Sequence, residues 1–351
     1  MTEALSISAR FSQDLLVPLL MQKHPDLVDR LAIGVHGTGS DVLGLDDSIS
    51  RDHHWGPRAA VLLHDEDASL AEPVRQTLAE ACPREFEGHP VRYDAASRTA
   101  VFVDTIGGYL GWFLGASAPP QREEDWFALC ETDLLHLTAG PVFHDPSGRW
   151  SAIRAALAYY PERVWHKRIA DWCMYVTGRD APYNLYRVSR RGDELTSQIY
   201  FGQALRRSME LAFAIERHYA PYPKWQFRLL QTLGGCARQV TPILKSLVQP
   251  LGLSWRQRVD RLIEINWICA RRLHELGLTS APAIKPFDEA LTDLTLYVSA
   301  RELYQRLPAS WHERSFNPIE SWEKIARVVL FDTGDYFQRK YTAPDTSQYL
   351  R

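Results

Sequence analysis

The chain changes character near residue 145, and nothing else in the sequence limits its fold as much. Before that point short β-type runs alternate with helical stretches; after about residue 149 strand signals all but vanish. Leu15, Leu19, Leu20 and Leu27 fall at roughly helical spacing and predict an amphipathic helix over 11–31. Leu31–His36 is a short apolar run ending in the glycine-rich Gly37-Thr-Gly-Ser40, and Ala59–Leu63 is a second candidate strand. Residues 70–81 read as a helix, 90–93 and 99–103 as a strand pair joined through 94–97, and 123–137 as another helix. Beyond them helices are expected at 149–159, 162–177, 193–219, 224–247, 254–276, 287–305 and 319–333. Ser254-Trp-Arg-Gln257 matches a capping box at one of these starts. The expected architecture is therefore an α/β (α+β) domain over 1–145, with helices on a small mixed sheet, then an all-α domain over 146–351.

Composition narrows the function classes. The 351 residues leave ample length for buried cores, and 45% apolar with 24% charged residues is ordinary for a globular protein. The 40 Lys+Arg against 43 Asp+Glu give a net charge of -3, which argues against a protein whose main task is coating nucleic acid. The longest apolar runs, 15–21 and 59–63, fall far short of the ~18 residues that span a bilayer. No secretory leader is evident at the start, and Cys82, Cys130, Cys173, Cys236 and Cys269 are widely spaced and odd in number. They read as reduced thiols, and the expected location is the cytoplasm.

One segment carries chemistry: residues 37–58, Gly-Thr-Gly-Ser-Asp-Val-Leu-Gly-Leu-Asp-Asp-Ser-Ile-Ser-Arg-Asp-His-His-Trp-Gly-Pro-Arg. A strand running into a Gly-Ser turn lets backbone amides approach a phosphate without Cβ interference. Four carboxylates follow, Asp41, Asp46, Asp47 and Asp52, a costly cluster unless solvated or bound to a cation. A hard divalent ion selects such oxygens and shares them with phosphate and water. Phosphate, metal and carboxylates together suit phosphoryl or nucleotidyl transfer.

Gly39-Ser40 followed by Asp52-x-His54 before a hydrophobic strand resembles the signature of the polymerase-β-like nucleotidyltransferase superfamily. The fuller string, Leu43-Gly-Leu-Asp-Asp47 with Ser50-Arg-Asp-His-His-Trp-Gly-Pro-Arg58, is similar to a bacterial subgroup of nucleotidyltransferase-like proteins classed as a domain of unknown function. Residues 137–145, Tyr160-Pro161 with Trp165, 191–194 and 219–225 carry the likeness to about residue 230. The resemblance implies that Gly39 and Ser40 hold the terminal phosphates of a nucleotide and that Asp52 is a metal ligand. The superfamily's second aspartate is His54 here, and imidazole suits Mn²⁺ better than Mg²⁺. His54 is alternatively a base or a phosphate donor. Asp104 is the candidate third, catalytic carboxylate, or else caps the helix expected over 106–114. Asp46 and Asp47 are either metal-site acids or solvated loop acids, and Arg51 and Arg58 pair with phosphates or with these aspartates.

In the helical half Lys224, between two prolines and aromatics, is a candidate phosphate or acceptor contact; its bland reading is a helix start with Pro223 in the first turn. Asp193 and Glu194 read as a helix cap and first turn, and His144-Asp145 as structural. The sequence contains no Walker loop, Gly-x-Ser-x-Gly or His-Glu-x-x-His. The expected activity is metal-dependent transfer of a nucleoside monophosphate from an NTP such as ATP to a hydroxyl, with Mg²⁺ or Mn²⁺, releasing pyrophosphate. The near-neutral charge points to a small-molecule acceptor, with the site between the two domains. The alternatives are a catalytically silent nucleotide- or metabolite-binding protein, and an enzyme that modifies a protein or RNA partner.

Overall fold

The computed structural model describes residues 2–51, 55–91, 101–177, 182–249, 252–282 and 295–312. Asp52 and His54 lie outside the described residues, as do most of 90–103's expected hairpin, the first half of the helix expected at 287–305 and all of 319–333.

The fold is mixed α/β and divides into two units. The first takes residues up to Gln121 and Leu129–Ala158. It opens with α1 (Glu3–Arg10), a π-helical stretch (Phe11–Leu16) and α2 (Val17–Lys23). This helical run begins eight residues before the expected 11–31 helix and stops earlier. Pro18 lacks the amide of the regular ladder, which the wider π turn before it accommodates. Pro25 then disfavours helical backbone at His24, whose φ of -137° and ψ of 57° end α2.

Strands β1 (Leu31–Gly34), β2 (Ala59–Leu63), β5 (Val101–Thr105) and β6 (Val142–His144) form one sheet in the order β5-β2-β1-β6. β2 runs antiparallel to β1 and parallel to β5, and β6 runs antiparallel to β1. A small second hairpin pairs β3 (Glu85–Phe86) with β4 (His89–Pro90). Thus Val101–Thr105 pairs with β2, while residues 92–100 of the expected hairpin lie outside the described residues. Alternation along the strands sends Leu31, Ile33, Val61, Leu63, Val101 and Val103 to one face. There they pack on Phe11, Leu16 and Leu20 of the first helical run and on Val74 and Leu78 of α3 (Ala71–Ala81). Helices α4 (Ile106–Leu114), α5 (Glu131–Thr138) and α6 (Arg149–Ala156) complete the unit.

The second unit takes Arg122–Ala128 and the helices from Tyr159 onward. These are α7 (Glu162–Tyr175), α8 (Tyr183–Ser189), α9 (Glu194–Ile215), α10 (Pro223–Leu230), α11 (Gly235–Leu247), α12 (Trp255–Glu275) and α13 (Thr295–Tyr304), followed by a last turn at Ala309–His312. The capping box is present: Ser254 and Gln257 satisfy each other's amides at the start of α12. The single helix expected over 224–247 is two, parted at Gly234-Gly235. Gly235 has φ +54°, and a Cβ there would lie 2.1 Å from Glu216, which accepts from the Cys236 amide instead. All five cysteines are free thiols. Among the described residues no helix is long and apolar enough to cross a membrane.

Candidate functional site

The Gly-rich segment leaves β1 after Gly34 and forms a turn over Gly37–Ser40. Its underside is built by three other parts of the first unit. The amide of Val35 donates to Pro141 O (3.0 Å) and that of Gly37 to His136 O (2.9 Å), tying the turn to the end of α5 and to β6. Gly140, at φ +76°, makes this approach possible, because a Cβ would lie 1.9 Å from Val35 O. Arg154 of α6 fixes the same corner from below. Its guanidinium donates to the carbonyls of Leu137 and Thr138 in the last turn of α5 and to those of Ala139 and Gly140 just beyond it.

Arg58 holds the turn itself. It is 3% exposed, and its two terminal nitrogens donate to His36 O (2.8 Å) and Thr38 O (3.0 Å). Nη1 also lies 3.5 Å from the carboxylate of Asp41, which is 2% exposed. Burial pushes the Asp41 carboxyl above its ordinary range, with Arg58 opposing and Asp46 adding to the rise. Gly39 sits on top of this pair. A Cβ at its φ of +141° would lie 2.2 Å from Asp41 Oδ1 and 3.0 Å from Arg58 Nη1. Glycine is thus required by the pair beneath as well as by any ligand above.

Two neutral histidines line the same floor. Trp150 Nε1 donates to His36 Nε2 at 2.9 Å. An indole N–H only donates, so Nε2 is the unprotonated nitrogen and the ring carries its proton on Nδ1. Burial, then the charges of Arg154 and Arg58, hold His36 well below its usual titration. Burial and Arg58 push His136 down to about 4. None of His36, His136, Trp150 or Arg154 was singled out by sequence reasoning. Their convergence comes from the β1–β6 pairing, which no local spacing announces.

Above the floor, Gly39 and Ser40 are half-buried. Among the described residues no acceptor engages the amides of Thr38, Gly39 and Ser40. The turn therefore offers successive amides and one hydroxyl, an arrangement that suits an anion. Ser40 O and Asp41 O instead accept from Leu45 N and Gly44 N, which closes the loop behind.

Gly39, Ser40, Arg58 and Asp47 belong to this one loop, but they are used differently. Arg58 is an internal brace. Asp47 Oδ1 accepts from Ile49 N, Ser50 N and Ser50 Oγ at 3.0–3.1 Å. Arg51 is exposed, paired with Glu3 and stacked over Trp55. Asp104 is not brought to the turn. Gly34 pairs with Ala60, and Ala60 with Phe102, whereas Asp104 pairs with Leu62 opposite Ala32. Asp104 therefore lies ~7 Å along the sheet in the direction away from the turn. Nor does it cap α4: Thr105 Oγ1 accepts from Gly108 N (3.0 Å), and Asp104 Oδ1 accepts from Thr105 N (2.8 Å). Among the described residues no three His, Cys, Asp or Glu side chains converge as a divalent-cation site. Asp41 faces Arg58, and Asp46 is approached by Ala4 N.

Lys224 belongs to the second unit, at an exposed position behind Pro223 in the first turn of α10, its ammonium 5.1 Å from the Trp225 ring. Asp193 caps α9 by accepting from Thr196 N. His144 and Asp145 are structural, the first donating to Val28 O and the second accepting from Ser151 N.

A family described as a domain of unknown function, DUF4037, matches residues 126–226. That stretch includes the 137–145 and 219–225 strings but not the Gly39–Arg58 segment. No curated protein matches the chain. A solved structure that is similar, at TM-score 0.37 and 10% identity over 93% of this chain and 91% of its own, is a nucleotidyltransferase-like protein from Exiguobacterium sibiricum 255-15.

Proposed function

We propose that the chain is a nucleotidyltransferase that binds the terminal phosphates of an NTP such as ATP at Gly39-Ser40 and passes the nucleoside monophosphate to a hydroxyl, releasing pyrophosphate. The observation that supports it is the Gly37–Ser40 turn, braced from beneath by Arg58 and presenting amides that no described acceptor engages. Asp52 and His54, with Asp47, are the residues that would hold Mg²⁺ or Mn²⁺; a bound ion supplies neutralisation of triphosphate charge. The overall charge favours a small-molecule acceptor. Calorimetric titration of the four NTPs with Mg²⁺ and with Mn²⁺, followed by pyrophosphate release with candidate acceptors, tests the reading. Wild-type protein is expected to bind one NTP and release pyrophosphate, and Asp52→Asn to bind without release. Failure of every NTP to bind removes the proposal.

A second reading, binding without turnover, draws on the position of Asp104, away from the turn. It predicts NTP binding with no pyrophosphate release by either protein.

A further inference from the structure

The near-neutral charge of the chain is an average of two opposed parts. Residues 1–158 hold 12 Lys+Arg against 23 Asp+Glu, whereas 159–312 hold 22 against 14. The excess is concentrated between 183 and 272, with 15 Lys+Arg, 13 of them arginine, against 6 Asp+Glu. A balance that argues against coating nucleic acid with the whole chain does not apply to this segment alone.

The arginines there are organised on rings. Arg190 and Arg256 lie 6.0 and 5.7 Å from the centroid of Tyr186, joining α8 to the start of α12. Arg258 lies 4.7 Å from Trp255 and 4.9 Å from Phe201, joining α12 to α9. Arg187 covers Tyr183 and donates to its hydroxyl. A guanidinium laid on a ring loses freedom yet keeps its N–H edge, the geometry that recognises phosphate bidentately.

Two of the local acids are engaged away from the arginines, and two pair with arginines of α12. Asp193 caps α9, and Glu194 accepts from Trp255 Nε1 at 3.0 Å. Asp260 pairs with Arg256, and Glu264 with Arg261. Arg187, Arg191 and Arg258 have no carboxylate partner among the described residues, and Arg187 and Arg191 are exposed. Along α12, Arg256, Arg261, Arg271 and Arg272 are each paired with a carboxylate, so Arg187, Arg191 and Arg258 are the unpaired cations of this face among the described residues.

We propose that the face formed by α8, the Arg190-Arg191 corner and the start of α12 binds the phosphate backbone of a nucleic acid. The aromatic rings are already covered by guanidinium groups, so the contact is with phosphates and not with stacked bases, and it is independent of sequence. A small isolated phosphate would meet only one or two of these arginines; a polymer meets them together. This face binds its partner whether or not the first unit transfers a nucleotide.

Fluorescence anisotropy of the full chain with a folded RNA of tRNA size and a 20-base-pair DNA of random sequence tests the proposal across 50–300 mM salt. Binding of at least one is expected, with a log–log salt slope of roughly -3 or steeper. Arg187→Ala/Arg191→Ala should weaken it at least tenfold and make the slope shallower by about 2. Arg122→Ala/Arg163→Ala, in the same unit but paired with Asp125 and Glu123, should leave it unchanged. Circular dichroism checks that both variants keep their helices. Should Arg187→Ala/Arg191→Ala lose them, Arg191→Glu alone carries the test, with the same direction expected. Three outcomes overturn the proposal: no binding of either polymer, equal weakening by the control pair, or binding of phosphatidylserine vesicles with none of RNA or DNA.

Discussion

Gly39 and Arg58 show how one residue serves two levels at once. The motif marks Gly39 as a place where phosphate comes close, while the structure adds the Asp41–Arg58 pair directly beneath it. Removing the cation strands a buried carboxylate and two carbonyls, so Arg58→Ala is expected to cost about 3–5 kcal/mol in denaturant unfolding. Arg58→Met/Asp41→Leu should recover much of that loss, because no buried charge is left over. A loss below ~1 kcal/mol for Arg58→Ala would show that the brace is not what holds the turn. His136 gives the first unit a pH dependence of definite sign. Its imidazole titrates near ~6.5 in an unfolded chain but at about 4 when buried. The unfolded state therefore takes up the proton first. The stabilisation is whole above pH ~6.5 and drains away as pH falls towards 4, at up to ~1.4 kcal/mol per unit. Asp41, raised by burial, acts with the opposite sign above its unfolded value and offsets part of this at the acid end. The comparison of wild type with His136→Gln isolates the histidine. Melting temperatures measured between pH 7.5 and 4.5 should fall less steeply in the variant, and parallel curves would end the assignment.

At the scale of elements, what could be read was what neighbouring residues decide among themselves. β2 falls where its apolar run predicts, and β1 covers the start of the other run. Ser254 and Asp193 cap helices because a side-chain oxygen two or three positions from a free amide is a purely local device. What a distant partner decides is not written in neighbouring residues. β5 aligns with β2, some forty residues away, through a parallel register that no turn signal encodes. That register also sets where Asp104 lies along the sheet. It lies two residues beyond Phe102 in the direction away from the turn, and Thr105 takes the capping role. The site behaves the same way. Gly39, Ser40 and Arg58 are legible because they share one loop; the floor is not, because His36 meets His136 of α5 and Trp150 and Arg154 of α6 from a hundred residues downstream.

For the whole molecule, a net charge of -3 conceals an acidic sheet-bearing unit and a basic helical one, so two chemically different anions are expected to act in two different places. An NTP should bind the amides of 37–40, and a nucleic acid the arginines of 183–192 and 255–262. Amide hydrogen exchange on the full chain separates them. A ligand at about 100 times its Kd stabilises the state that binds it by ~2.7 kcal/mol, which slows exchange about a hundredfold where opening and binding exclude each other. ATP with Mn²⁺ is expected to protect peptides spanning 35–45 and leave 183–192 unchanged. Folded RNA should do the reverse. Protection of one segment by both ligands would mean a single anion site serves both, and the division of labour between the units would fall. Protection by ATP alone would leave the first unit's turn in place and remove the helical face, while protection by RNA alone would do the opposite. Because the acidic unit repels a polyanion that the basic unit attracts, raising salt from 50 to 300 mM should abolish the RNA-dependent protection first.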